Sequence, residues 1–314
     1  MIKHFIKTDD FTRDQYLEIC RRAKIFQDGI KKGKNFTKLC SGKVLSILFF
    51  QESTRTSTVL QSAIIKLGGG YLGINGSEGT YVNINEEDVD DFINSIAAAC
   101  DIMAIRHKNL DLEPFSVKSP IPLLNAMSGL DEHPIASLAL VYTLFRRGTN
   151  FKKLKYGIYG MIKSSRPAKS FIKSLSIMGA TIYADSVIDE FKTPSHIKRF
   201  VEKTEGKLIE KKFAEFLPEV DLLDILEGLP QANENPKLVQ KYNRLFKVFT
   251  QKELSLMKQN SFVKYITPRK MTDGRLTTSK EIDQSPKVIT KAFLEDWTFA
   301  MMGLISYLLG VKVK

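Results

Sequence analysis

A chain of 314 residues is long for one hydrophobic core and comfortable for two. With 43% apolar and 26% charged residues it has the composition of an ordinary soluble globular protein, and no apolar run approaches the length that spans a bilayer. The net charge of +12 points to an acidic partner, either nucleic acid or small anions; the lysines and arginines are spread without any DNA- or RNA-reading motif, so acidic small molecules are the better expectation. Cys20, Cys40 and Cys100 are odd in number, far apart and lack CxxC or Cys/His spacing, which argues against disulfides and zinc. The start, Met1-Ile2-Lys3-His4-Phe5, has no apolar core of a signal peptide and soon reaches Asp9-Asp10, so a cytoplasmic location is expected.

In chain order, residues 12–29 read as an amphipathic helix opened by Phe11-Thr12-Arg13-Asp14, with Tyr16, Leu17, Cys20, Ala23 and Phe26 inward. Residues 44–50 (VLSILFF) form a short, nearly unbroken apolar run, as expected of a parallel strand covered on both faces. A helix capped by Ser53 follows, with Val59, Leu60, Ala63, Ile64 and Leu67 on one face, until Gly68-Gly69-Gly70 ends it. Strands over 71–74, 102–105 and 122–125 and a helix over 90–99 complete a first α/β unit. A long apolar helix over 135–145 then leads into a second unit. There strands are expected over 156–160, 180–184, 220–225 and 262–266, with a helix from Pro167 and a loop over 227–241 able to move over a cleft. A strongly apolar helix over 291–309 should pack back on the first unit, giving domains 1–133 plus 291–314 and 134–290. The fold class expected is α/β, each domain a parallel sheet flanked by helices.

The junction Ser53-Thr54-Arg55-Thr56 is the most informative stretch. The first turn of a helix carries unpaired N–H groups and the positive end of the macrodipole, so a phosphate settles there readily. Hydroxyls of Ser53, Thr54 and Thr56 add donors, and Arg55 adds a bidentate, charge-assisted one. Arg106 and His133 also lie just past expected strand ends, where ligands of parallel sheets gather. The bland reading makes Ser53 a cap, Arg55 and Arg106 solvated, and His133 a packing residue before Pro134.

Ser-Thr-Arg-Thr after such a strand resembles the carbamoyl-phosphate loop of the aspartate/ornithine carbamoyltransferase family, and the aspartate branch is the more similar. The resemblance runs from Phe11-Thr12-Arg13-Asp14 to the terminal helix with motifs in the family's order. It implies that the first domain binds carbamoyl phosphate through Ser53, Thr54, Arg55, Thr56, Arg106 and His133, and that Thr56, Arg106 and His133 act on the carbonyl oxygen. It implies an amino-acid or amine substrate in the second domain, with Arg166 on its carboxylate and Glu227, Thr267 and Pro268 nearby. No metal or cofactor is implied. The partners implied are small-molecule substrates and two further copies in a homotrimer, with a regulatory or other enzyme subunit as a further partner, and neither nucleic acid nor membrane.

The sequence departs from the family pattern at several places. Where relatives place a phosphate-reaching lysine, this chain has Asn85, and no lysine or arginine occurs between Lys66 and Arg106, whereas Glu78, Glu86, Glu87, Asp88, Asp90, Asp91 and Asp101 are acidic. At an effective dielectric of about 20, a unit pair about 4 Å apart interacts by ~4 kcal/mol before screening, and here the sign is repulsive for a dianion. The glutamine after the histidine is Ala136, a glutamate tying the domains is Gln51, and the aspartate-reading arginine and glutamine fall at about Glu227 and Leu229. The family's His-Pro-Leu-Pro-Arg is Tyr265-Ile266-Thr267-Pro268-Arg269. The expectation is an aspartate-type carbamoyltransferase with an impaired or altered second-substrate site. The alternatives are a non-catalytic paralogue serving as a binding or assembly subunit, and a carbamoyltransferase for another amine such as ornithine or a polyamine.

Overall fold

Strands that are covered on both faces need continuous apolar sequence, and the central strand of each half of the chain supplies it. The structure is a computed structural model describing residues 2–75, 89–230 and 234–313. The chain divides into two units, Met1–Arg147 with Glu295–Lys314, and Gly148–Leu294.

The first unit opens with α1 (Arg13–Lys31), whose start is fixed by a reciprocal cap: Thr12 accepts from the Gln15 N–H, and the Gln15 side chain accepts from the Thr12 N–H. Its inner face is Tyr16, Ile19, Cys20, Ala23 and Phe26, with Ile19 buried where Leu17 was expected. Strand β1 (Val44–Phe49) leads to α2 (Arg55–Leu67), β2 (Gly70–Asn75), α3 (Val89–Ala97), β3 (Ile102–Arg106), α4 (Glu113–Lys118), β4 (Leu123–Asn125) and α5 (Pro134–Arg146). Gly68 stops α2 in the left-handed conformation (φ 89°), and a Cβ there would lie 1.6 Å from the Thr37 carbonyl oxygen, so no other residue fits. The four strands are parallel in the order β2-β1-β3-β4.

Sequence analysis assigned α5 to the second domain, but the helix clusters with the first. Residues Pro134 to Leu144 are all buried, and the Tyr142 hydroxyl donates to Gln27 Oε1 of α1 (2.5 Å). An all-round apolar helix must be covered on every side, and here α1 provides part of that cover.

In the second unit the chain runs through β5 (Lys155–Tyr159), α6 (Arg166–Ile177), β6 (Thr181–Asp185), α7 (Ser195–Val201), β7 (Lys207–Glu210), α8 (Phe213–Phe216), β8 (Leu222–Ile225), α9 (Pro236–Leu245), α10 (Gln251–Leu256) and β9 (Phe262–Tyr265). The sheet is parallel, in the order β7-β6-β5-β8-β9. Edge strand β7 escaped sequence analysis because its Lys207, Ile209 and Glu210 are exposed and leave too little apolar pattern to read. The loop expected over 227–241 contains the start of α9, where the Asn235 side chain accepts from the Lys237 N–H (2.9 Å) and Pro236 takes the first helical position.

One face of this sheet packs an aromatic cluster in which Tyr159 stacks on Phe213 and Phe246, with ring centroids 4.2 and 4.8 Å apart. The other face buries a charged pair: Lys264 Nζ of β9 lies 2.7 Å from Asp224 Oδ2 of β8, and the Tyr156 hydroxyl donates to the same carboxylate (2.8 Å). Burial pushes the Asp224 carboxyl up while Lys264 draws it down. The last helix, α11 (Thr290–Leu308), begins in the second unit and returns the chain to the first. There Gly303 lets it approach α1 so closely that a Cβ would lie 2.6 Å from the Ile19 carbonyl oxygen.

Candidate active site

In a sheet ordered β2-β1-β3-β4 the chain leaves β1 toward one side and returns to its other side as β3. The crevice at the carboxyl ends of those two strands is where such folds receive ligands. The residues singled out in the first unit gather at that end. Arg106 is the last residue of β3 and sits opposite Phe49, and the Phe50 N–H donates to the Arg106 carbonyl (2.8 Å). The loop after β1 then enters α2 at Arg55.

Thr54, not Ser53, occupies the cap position of α2. Its backbone is already helical and its side chain makes no cap; the Thr58 hydroxyl instead donates to the Thr54 carbonyl (2.6 Å). The expected Ser53 cap is therefore corrected: the helix begins later, and Ser53 stands in the loop ahead of the cap position. Thr56 is buried on the first turn, and its Oγ1 lies 3.5 Å from His133 Nε2, at the outer limit of a hydrogen bond. His133 immediately precedes α5, with Pro134 as the first helical residue.

The loop between β4 and α5 is braced from within. Asn125 Oδ1 accepts from the N–H groups of Met127 (2.8 Å) and Ser128 (2.6 Å), which holds Met127 at a positive φ of 87°. Ser128 Oγ donates to the Ile105 carbonyl (2.9 Å) and accepts from the His107 N–H (3.0 Å), tying the loop to the end of β3. Arg106 Nη1 lies 3.9 Å from Met127 Sδ. The outcome is a hydroxyl, a guanidinium and an imidazole at the carboxyl end of one sheet, beside a helix amino terminus, a donor set suited to an anion joined to a carbonyl.

The second unit repeats the logic with different side chains. Its switch point lies between β5 and β8, and Arg166 opens α6 just after β5 while Glu227 follows β8. Ser165 caps α6 by accepting from the Ala168 N–H (3.3 Å), and its hydroxyl donates to Glu227 Oε2 (3.0 Å). The Ser164 hydroxyl donates to Glu234. The Gly228 N–H donates to the Pro268 carbonyl (3.1 Å), bringing the Glu227 loop against Thr267-Pro268. Burial pushes the Glu227 carboxyl up against the hydrogen bond from Ser165, and burial lowers the Arg166 guanidinium against the pull of Glu227. Leu229 is exposed, and Arg269 is engaged by a two-pronged pair with Asp283 (2.7 and 2.6 Å).

Asn85, with Glu78, Glu86, Glu87 and Asp88, lies outside the described residues. Ala136 is buried on the first turn of α5, and its side chain offers no hydrogen bond. Sequence analysis missed Trp297, whose ring meets that of His133 edge-on with centroids 5.7 Å apart. Nothing local marks it, since it belongs to an apolar helix more than a hundred residues further along the chain.

A family model described as "Aspartate/ornithine carbamoyltransferase, carbamoyl-P binding domain" matches residues 3–146. Over those residues, which make up most of the first unit, the chain is similar to the aspartate/ornithine carbamoyltransferase family. Within it the similarity is to the aspartate branch. The aspartate carbamoyltransferase catalytic subunit of Methanopyrus kandleri is 25% identical, over 97% of this chain and 96% of its own length. That of Finegoldia magna is 28% identical, over 99% of each. The solved catalytic subunit of M. jannaschii aspartate transcarbamoylase superposes with a TM-score of 0.85 at 22% identity, covering 98% of both chains. Aspartate transcarbamoylase of Trypanosoma cruzi in complex with N-(phosphonacetyl)-L-aspartic acid gives a TM-score of 0.87 at 20% identity, covering 99% of this chain and 96% of that one.

Proposed function

We propose that this chain is an aspartate-type carbamoyltransferase whose second-substrate site has been altered. The observation that carries the reading is the convergence of the Ser53–Thr56 loop, Arg106 and His133 at the switch point of the first sheet. The amino end of α2, with Ser53, Thr54 and Arg55, holds the phosphate of carbamoyl phosphate. Thr56, Arg106 and His133 donate to the carbamoyl oxygen. An amine attacks the carbamoyl carbon, negative charge grows on that oxygen, and those donors bind it more strongly in the transition state than in the ground state. The carbon–oxygen bond to phosphate then breaks, and the phosphate leaves with the proton shed by the amine.

The second unit is proposed to hold the amine-bearing substrate through Arg166, Glu227, Thr267 and Pro268. Carbamoyl-aspartate for pyrimidine synthesis is the product in this reading, made in the cytoplasm. Self-association as a homotrimer is supported by the exposed apolar side chains Ile65, Tyr71 and Leu72 on α2 and edge strand β2. A regulatory or other enzyme subunit is the further partner proposed. Asn85 in the sequence stands where a phosphate-reaching lysine is expected and Ala136 where a glutamine would hold the carbamoyl amino group, so a low rate is part of the proposal.

A specific observation favours a second reading of the acceptor. Glu227 is held by Ser165 beside Arg166, so a carboxylate stands where aspartate would be read, and a cationic amine such as ornithine or a polyamine suits it better. One assay decides: labelled carbamoyl phosphate is offered with aspartate, ornithine and putrescine in turn. Carbamoyl-aspartate formation supports the first reading and preferential carbamoylation of a diamine the second. No product with any amine, together with no heat of carbamoyl-phosphate binding, leaves only a non-catalytic assembly role.

A further inference from the structure

The residue that aligns His133 comes from the far end of the chain. We propose that Trp297 is a positioning residue for the His133 imidazole, a claim that deepens the reading of His133 given above and rests on it. The two rings meet at 64° with centroids 5.7 Å apart, and both residues are nearly sealed from solvent, at 4% exposure for His133 and 5% for Trp297. Edge-to-face packing of this kind favours one mutual orientation of the rings. The imidazole is thereby gripped between two elements: Nε2 faces Thr56 Oγ1 at 3.5 Å, and the ring is walled by the indole. A donor that must meet a developing oxyanion within a few tenths of an ångström needs its supporting side chains fixed in this way.

The wall is itself held in register. Asp296, the residue before Trp297, is 1% exposed and accepts from Gln27 Nε2 of α1 (2.9 Å), while Arg146 and Arg147 at the end of α5 lie 3.3 and 3.6 Å from its carboxylate. Two turns on, Gly303 lets α11 press against the Ile19 carbonyl of α1. These fastenings stop α11 from sliding or turning, and so they fix where the indole stands relative to His133. Trp297 touches no reacting atom; its action passes through the histidine.

Trp297 is the chain's single tryptophan, so intrinsic fluorescence reports this contact alone. An imidazole packed on the indole sets its surroundings, so the emission of the intact protein is expected to differ in intensity from that of His133→Ala by at least about a third, both recorded at about pH 8. Identical emission overturns the contact. For turnover, Trp297→Leu is expected to lower kcat about tenfold with the KM for carbamoyl phosphate held within about twofold, and Trp297→Phe to stay within about threefold of the parent. Leu304→Ala, which opens a cavity in the same helix away from His133, is expected to lower the melting temperature without that loss of kcat. Equal kcat losses in Leu304→Ala and Trp297→Leu, or a Phe variant no better than Leu, overturn the proposal. If the parent turns over no amine, the reading of the reaction fails, whereas the fluorescence comparison with His133→Ala still decides whether Trp297 and His133 are in contact.

Discussion

The ends of β3 and β8 occupy equivalent places in their sheets, each flanking the central strand across the switch point, yet one ends in Arg106 and the other is followed by Glu227. The same topology thus delivers opposite charge to the same kind of crevice. Fold dictates where a ligand is met, and the side chain placed there dictates which ligand is welcome. In the first unit the guanidinium stands with a hydroxyl, an imidazole and a helix amino end, all suited to an anion. In the second, a half-buried carboxylate braced by Ser165 stands beside Arg166, and a second carboxylate, Glu234, bonds Ser164.

The comparison can be broken most forcefully at Lys264. It is the cation that balances Asp224, three residues before Glu227, with both groups of the pair at most 1% exposed. Lys264→Met leaves that carboxylate buried without its counter-charge, and the second unit is expected to lose about 3–5 kcal/mol of stability, read from urea unfolding. A double replacement, Lys264→Met with Asp224→Leu, should recover most of it. The next largest effect tests the first unit: Arg106→Ala is expected to cut kcat by about 10²–10³ with the circular dichroism spectrum preserved. A loss below about threefold would remove Arg106 from the proposed machinery.

Glu227→Gln sharpens the contrast from the other side. Removing the carboxylate should raise kcat/KM for aspartate about tenfold, equivalent to about 1.4 kcal/mol, and lower it for ornithine; unchanged ratios would mean that Glu227 does not read the acceptor. The smallest effect concerns acid stability. Glu219, held between Lys211 and Lys155, has its carboxyl drawn from 4.5 down to about 2. A depressed carboxyl stabilises the fold above its unfolded pKa and loses that contribution as the pH falls through the folded value. The melting temperature of the parent should therefore decline between about pH 4.5 and 2 more steeply than that of Glu219→Gln, with only a small difference because solvent reaches the group and screens it.

The central strands were legible because burial on both faces leaves a nearly unbroken apolar run, as at 44–50, and the end of α2 because Gly68 tolerates no substitute beside Thr37. Strand β7 was not, since an edge strand facing solvent carries no such run, and α9 was hidden by prolines and asparagines that serve as its start signal as readily as a loop. In the site, Arg106 and His133 were readable from their places after strands. The Ser53 cap was misplaced because Ser53 and Thr54 are equally good caps on paper, and only the backbone at Thr54 decides between them. Trp297 was unreadable for a different reason: its contact with His133 joins distant segments, and no local pattern encodes a partner so far away in sequence.

The first unit is assembled from two stretches of chain, its last piece beginning at Glu295. On a ribosome the second unit is fully synthesised before the first has received its closing helix. Until then α1 lacks the helix that Gly303 presses against it, and the histidine faces no indole. The proposed anion site is therefore completed only when the residues from Glu295 onward have been made, after the whole of the second unit has left the ribosome.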